Sequence, residues 1–326
     1  MIATRTLRRA RILIVGCGDV GLRCAALLRS HARVFALTSQ PERAAALREA
    51  GTVPVVGNLD MRASLARLAG LAPVVLHLAP PEKSGDDDLR TRRLIAALGA
   101  RSRSAARPPG TRKGPSIVPQ RTERSWRMPR GRLRLVYAST TGVYGDCEGA
   151  RIDETRPVRP ANARAKRRVA AERLLRRATA RGALTATMAR IPGIYAADRL
   201  PLARLAKGTP ALVERDDVYT NHIHADDLAA ILVKLATHGR AGRVIHASDD
   251  SELKMGAWFD RVADTFGVAR VPRVSRAEAE RALDPMLLSF MRESRRLAND
   301  RLKRELRVRL RYPLVDDFLR TIPPRP

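Results

Sequence analysis

Ile12-Leu13-Ile14-Val15-Gly16-Cys17-Gly18-Asp19-Val20-Gly21-Leu22-Arg23-Cys24-Ala25-Ala26-Leu27-Leu28 is the stretch that decides the fold. Residues 12–15 form an apolar run suited to a buried strand, and residues 20–28 place small and apolar side chains at helical spacing. Between them the chain reads G-x-G-x-x-G. Gly16 permits a tight turn, Gly18 lets a phosphate approach the backbone, and Gly21 lets the helix pack closely on the strand. A strand feeding such a turn into a helix aims backbone N–H groups and the helix dipole at a pyrophosphate. The loop, with Asp19 and Val20 inside it, is therefore a candidate dinucleotide site.

The alternation continues on the C-terminal side. Residues 33–37, 53–56 and 74–78 read as further strands, with helices expected at 41–49, 61–68 (capped by Asp60) and 87–98. This is the pattern of an α/β protein with a doubly wound parallel sheet. Where the second strand ends, an Asp or Glu would hold the ribose 2′-hydroxyl of NAD. The chain instead has Thr38, Ser39 and, after Pro41, Arg43, which suit a 2′-phosphate, so NADP is preferred to NAD; Glu42 as a ribose partner and Arg43 as a solvated helix residue are the alternatives. Asn58 and Leu59 after the third strand, and Leu78 and Ala79 after the fourth, complete the expected cofactor contacts.

Beyond residue 100 the alternation breaks. Residues 101–134 hold eleven basic residues and one acidic one, with five prolines and three glycines. Such a stretch cannot bury a face and reads as a long solvated insertion, with an anion- or RNA-binding arm as the alternative. Strand signals resume at 133–138, a long helix is expected at 161–181, and strands at 185–191 and 243–247. Residues 1–190 are assigned to the cofactor-binding domain and residues 191–326 to a smaller substrate lobe, some of whose segments return to the sheet.

Composition narrows the function classes. The chain has 326 residues and a formal net charge of +29, but 55 of its 62 basic residues are arginine and they are spread along its length. Aromatic residues make up only 4%, too few for obvious base-stacking platforms, so nucleic-acid binding is not expected. No apolar run approaches the ~18 residues of a membrane span. Cys17, Cys24 and Cys147 are odd in number and follow no metal spacing, which suits a reducing cytoplasm. A small-molecule ligand, and a monomer or homodimer, are the expectations.

Three further stretches carry a resemblance: Leu135-Val136-Tyr137-Ala138-Ser139-Thr140-Thr141-Gly142-Val143-Tyr144-Gly145-Asp146, Arg190-Ile191-Pro192-Gly193-Ile194-Tyr195, and Asn221-His222-Ile223-His224-Ala225-Asp226-Asp227-Leu228-Ala229. Together they resemble the extended short-chain dehydrogenase/reductases, the NAD-dependent epimerase/dehydratase family. The resemblance implies a Rossmann-type sheet, a smaller C-terminal substrate lobe, and NAD(P)-linked chemistry on a carbonyl or carbinol. It places Thr140 as the hydroxyl facing the substrate oxygen, or as a polar wall of the pocket. It places Pro192 and Ile194 beside the nicotinamide. The family's Tyr-x-x-x-Lys pair fails here: Lys166 is taken as the lysine, a ribose contact or an ordinary exposed residue, and Asn162 stands where tyrosine is needed. Asparagine cannot exchange a proton near neutral pH. Tyr195 is the candidate replacement donor, with packing as its alternative role; His77 reads as a core histidine, and Asp226 and Asp227 as helix caps. The chain then looks like an atypical branch: an oxidoreductase or epimerase with an altered proton donor, or an idle NADP(H)-binding regulator.

Overall fold

Seven parallel strands dominate the computed structural model, which describes residues 9–99 and 132–323. We label them β1 (Ala10–Val15), β2 (Ala32–Thr38), β3 (Val53–Val56), β4 (Val74–His77), β5 (Arg134–Thr140), β6 (Thr185–Ile191) and β7 (Val244–His246). Their order in the sheet is 3-2-1-4-5-6-7. Ile12, Leu13, Ile14 and Val15 are all fully buried. A strand covered on both faces needs a continuous apolar run, which is why this one shows no alternation.

The helices divide between the two faces. On one, α1 (Asp19–Leu28) packs through Cys24, Ala25 and Leu28, beside Leu228, Ile231, Leu232 and Leu235 of a later helix at Ala225–His238. On the other lie α2 (Leu89–Gly99), through Leu94 and Leu98, and α3 (Ala163–Ala180), through Ala171 and Leu175. The Ala225–His238 helix is α4. A second apolar cluster, built from Trp258, Phe259, Val262, Tyr312 and Phe318, makes the smaller lobe. Its helix α5 (Met255–Phe266) follows β7, so the chain leaves the sheet, returns for one strand and leaves again.

Several local expectations need correction. The helix expected at 41–49 is split into a 3-10 turn, Pro41–Arg43, and a short α-helix, Ala44–Glu49. Residues 62–68 form a 3-10 turn whose N-cap is Met61. Asp60 caps nothing; Arg90 holds its carboxylate at 2.6 Å and keeps it below the usual carboxylate range. Asp226 and Asp227 are not caps either. His224 caps α4 by accepting from the Asp226 N–H at 3.2 Å, while buried Asp227 accepts from the backbone of Arg311 and Tyr312 at 2.7 and 3.0 Å. The insertion expected at 101–134 falls almost entirely outside the described residues. No helix among the described residues is long and apolar enough to cross a membrane.

A buried polar chain fastens the later strands to one another. Ser139 donates to Glu172 at 2.6 Å, and Arg190 grips both oxygens of Glu172 at 3.1 and 2.7 Å. Arg190 also donates to the Tyr144 hydroxyl at 2.7 Å, which lies 2.5 Å from His246 Nε2. His246 Nδ1 faces the Ala298 carbonyl at 2.8 Å, so Nδ1 carries the proton and Nε2 accepts from Tyr144.

Buried histidines make stability depend on acid. Burial pulls His77 down to about 3 and both His222 and His246 down to about 4. Unfolded, each would titrate near ~6.5. The folded values are depressed, so this contribution is complete above pH ~6.5 and is lost as pH falls through about 4. Urea unfolding near pH 5 should take up two to three protons more than at pH 8, on the order of one per histidine. Stability that stays flat between pH 4 and 7 would contradict this.

Candidate functional site

The glycine loop sits where the strand order reverses between β1 and β4, the crevice in which open α/β sheets bind ligands. Leu78 and Ala79 both donate backbone N–H groups to the Val15 carbonyl, at 2.8 and 2.9 Å, so the chain after β4 crosses directly beside Gly16. Gly16 has φ +90°, and a Cβ there would run into the Ala79 backbone, 2.7 Å from its Cα. Gly18 is different. A Cβ built on it meets nothing within 4 Å, so open space lies above the first turn of α1. At Gly21 a Cβ would come 3.0 Å from the Gly16 carbonyl, which keeps α1 close to its strand.

Charged groups frame this opening. Asp19, in the first turn of α1, meets Arg23 at 2.9 Å and Arg199 at 3.3 Å. Val20 packs against the sheet core. Arg43 folds over the loop and donates to the Cys17 carbonyl at 3.0 Å. At the end of β2, Thr38 is buried and exchanges hydrogen bonds with the Gln40 backbone, while Ser39 is exposed. Asn58 donates its backbone N–H to Ser64 at 2.9 Å and its side chain accepts from the Asp60 N–H at 2.8 Å, while Leu59 beside it is buried.

A cavity of about 550 Å³ opens beside the C-terminal ends of β5 and β6, between the sheet and the smaller lobe. Thr140, Asn162, Pro192, Ile194 and Tyr195 line it, as do Arg164, Arg168, Trp258, Glu293 and Arg295. Arg199 belongs to this wall and to the rim of the glycine loop, so the two openings adjoin. Thr140 accepts from the Gly142 N–H at 3.3 Å and caps the turn after β5.

One sequence expectation fails on this geometry, and Lys166 takes the exposed one of its two expected places. Asn162 does not stand on a helical face: its backbone is extended, and its side chain caps α3 by accepting from the Ala165 N–H at 2.9 Å. Lys166 does not line the cavity; its ammonium points to Asp86, 3.4 Å away on the surface. Residues four apart share a helix face, and the pair that α3 turns toward Thr140 is Arg164 and Arg168. Arg168 donates to the Ala138 carbonyl at 2.6 Å and to the Tyr137 hydroxyl at 3.1 Å.

The tyrosines are deeply placed. Tyr195 is buried among Trp258, Phe318, His222 and His224. Burial first, and then the nearby carboxylates of Asp249 and Asp227, raise its phenol well above the usual tyrosine range. It therefore keeps its proton at neutral pH. Tyr144, pushed up to about 12 by burial, is spent on Arg190 and His246. His77 is a core histidine, 2.8 Å from the Thr91 hydroxyl.

Residues 12–247 match the NAD dependent epimerase/dehydratase family. The chain belongs to that family. No protein of curated function matches it. Among solved structures it is similar to a functionally unknown conserved protein from Silicibacter pomeroyi DSS, with 26% identity over 96% of this chain and 97% of that one, and a TM-score of 0.73. The dTDP-glucose 4,6-dehydratase from Streptomyces venezuelae, solved with NAD and TYD bound, aligns at 18% identity over 95% of each chain, with a TM-score of 0.69. The UDP-N-acetylglucosamine 4-epimerase from Bacillus cereus aligns at 13% identity over 93% and 94%, with a TM-score of 0.64. At such identities these two enzymes share the fold. Sequence reading missed Arg164 and Arg168 on the cavity side of α3, because arginine recurs all along that helix. Glu293 and Arg295 were also missed, since nothing near them in sequence points to β5.

Proposed function

We propose that this protein binds NADP(H) across residues 16–21 and works on a small carbonyl or hydroxyl compound in the adjoining cavity. The observation that carries this reading is the open space above Gly18 at the N-terminus of α1, with Arg43 lying over the same loop. The residues fit the cofactor: N–H groups and a helix dipole for the pyrophosphate, Arg43 for a 2′-phosphate, and Leu78 and Ala79 beside the turn. Bound there, the cofactor would supply or accept a hydride. Thr140 would hydrogen-bond the reacting oxygen and stabilise charge developing on it.

The proton is handled differently from the family's pattern. A guanidinium stays protonated throughout the accessible pH range, so Arg164 and Arg168 cannot replace a tyrosine as acid and base. Positioned general acid–base catalysis contributes roughly 100- to 10,000-fold, so slow turnover is the expected behaviour. The arginine pair also favours a second reading, in which the protein binds NADP(H) without turnover and reports on it.

Two measurements test these points. Replacing Arg43 by Ala should weaken NADPH about tenfold or more, since one charge-assisted contact to phosphate is lost, and should leave NADH nearly unchanged. Equal effects on both cofactors would remove the 2′-phosphate assignment. Arg164→Tyr combined with Arg168→Lys should speed NADPH oxidation by 4-nitrobenzaldehyde by roughly 100-fold. Asn162→Tyr should not, because it removes a cap and faces no lysine. Faster turnover in Asn162→Tyr alone would reverse that assignment.

A further inference from the structure

We propose that the cavity beside Thr140 receives a small organic anion, whose carboxylate or phosphate group is held by Arg164 and Arg168. The inference deepens the reading above by naming what the cavity takes, and it rests on that reading only for the place of NADPH. Arginine is so frequent in this chain that several would fall in any wall by chance, so number carries no weight here. Position and pairing carry it.

Arg168 is half-buried, yet among the described residues no carboxylate lies within 4 Å of its guanidinium. Its hydrogen bonds go to a carbonyl and a phenol, which carry no charge. An acid is reached only through the Tyr137 hydroxyl, which donates to Asp88 at 3.4 Å, and Asp88 is already engaged by Thr91 at 2.7 Å. Elsewhere the deeply buried arginine of the sheet, Arg190, has its own carboxylate in Glu172. A partly desolvated cation without a counter-ion is costly, and a ligand anion would remove that cost.

The rest of the wall agrees. Arg199 and Arg295 are matched by Asp19, on α1, and by Glu293 of the wall itself, at 3.3 and 2.9 Å, so both of these cations already have their acids. Arg204 lies over the Phe259 ring at 4.5 Å and, among the described residues, donates only to the Pro210 carbonyl. Burial lowers its pKa, as expected for a cation short of compensation. The same cavity is lined by Trp258 and His222, whose tilted rings lie 4.9 Å apart between centroids and would cover an apolar body. A guanidinium pair, an aromatic stretch of wall and the Thr140 hydroxyl in one cavity suit a small acid that also carries a carbonyl or hydroxyl oxygen.

The experiment is calorimetry on the protein saturated with NADPH, which occupies the glycine loop, titrated with benzoate, phenyl phosphate and the neutral isostere benzamide. At least one anion should bind about tenfold or more tightly than benzamide, the gain of a charge-assisted bidentate contact. Whichever anion binds more tightly assigns carboxylate or phosphate. Arg168→Gln and Arg164→Gln should each erase the preference. Should Arg168→Gln fail to fold, for want of its bonds to Ala138 and Tyr137, Arg164→Gln on the exposed first turn of α3 decides. Benzamide binding as well as both anions, or a preference that survives the Arg164 change, would overturn the proposal. NADPH uptake is measured first in the same sample. Its absence would count against the NADP(H) reading alone, because the arginine variants locate the anion without it.

Discussion

Gly18→Val should abolish measurable NADPH binding, a loss of at least ~100-fold, while leaving the protein folded. The two halves of that expectation come from one observation. A Cβ at Gly18 meets no protein atom within 4 Å, so the fold has no reason to object. The same side chain would occupy the space into which the pyrophosphate must come to reach the N–H groups of α1. Gly16→Val should behave in the opposite way. At φ +90° and against the Ala79 backbone, a side chain strains the turn itself, so stability falls along with binding. Calorimetry with NADPH and a thermal melt on both variants separate the two effects. Undiminished binding in Gly18→Val would move the cofactor off this loop.

The second large effect concerns stability. Glu172→Leu should destabilise the protein by about 3–5 kcal/mol, because it leaves Arg190 buried and uncompensated. Glu172 and Arg190 are each less than 5% exposed, so water cannot replace the lost partner. Loss of the Ser139 and Arg190 contacts together should also loosen the end of β5, where Thr140 begins the cavity. Adding Arg190→Met to Glu172→Leu should recover part of the loss, since an apolar pair of similar volume carries no buried charge. Urea unfolding of the two variants measures this. A single variant as stable as the native protein would mean that the pair contributes nothing.

How far residues alone lead is visible at α1 and α3. The first strand and helix are readable because the apolar run at 12–15 and the glycines at 16, 18 and 21 are local signals with one physical meaning each. Helix α3 is equally easy to place but its orientation is not. Arg164, Lys166, Arg167 and Arg168 follow one another so closely that no apolar stripe marks the buried side, and Arg167 and Glu172 are themselves buried. Spacing back from the one lysine therefore leads to Asn162, while tertiary packing turns Arg164 and Arg168 to the cavity. Asp60 shows the same limit on a smaller scale. It has the chemistry of a cap, but Arg90, thirty residues later, claims its carboxylate. The Glu293–Arg295 side of the cavity rests wholly on contacts between distant segments, such as the bond from Arg295 to the Gly145 carbonyl at 2.6 Å.

The path of the chain past Ile191 bears on how such proteins can diversify. After β6 the backbone builds cavity wall, comes back to lay β7 against β6, and departs once more for α5 and the C-terminal segments. Leu302 and Leu306, near the end of that second departure, are buried again in the core against the sheet. No single recombination breakpoint can therefore exchange the ligand-selecting half of the molecule for a cousin's. A crossover anywhere between residues 192 and 306 would pair one parent's strand with the other's packing. Specificity in this lineage should change by point substitution along the cavity, with both lobes inherited as one block.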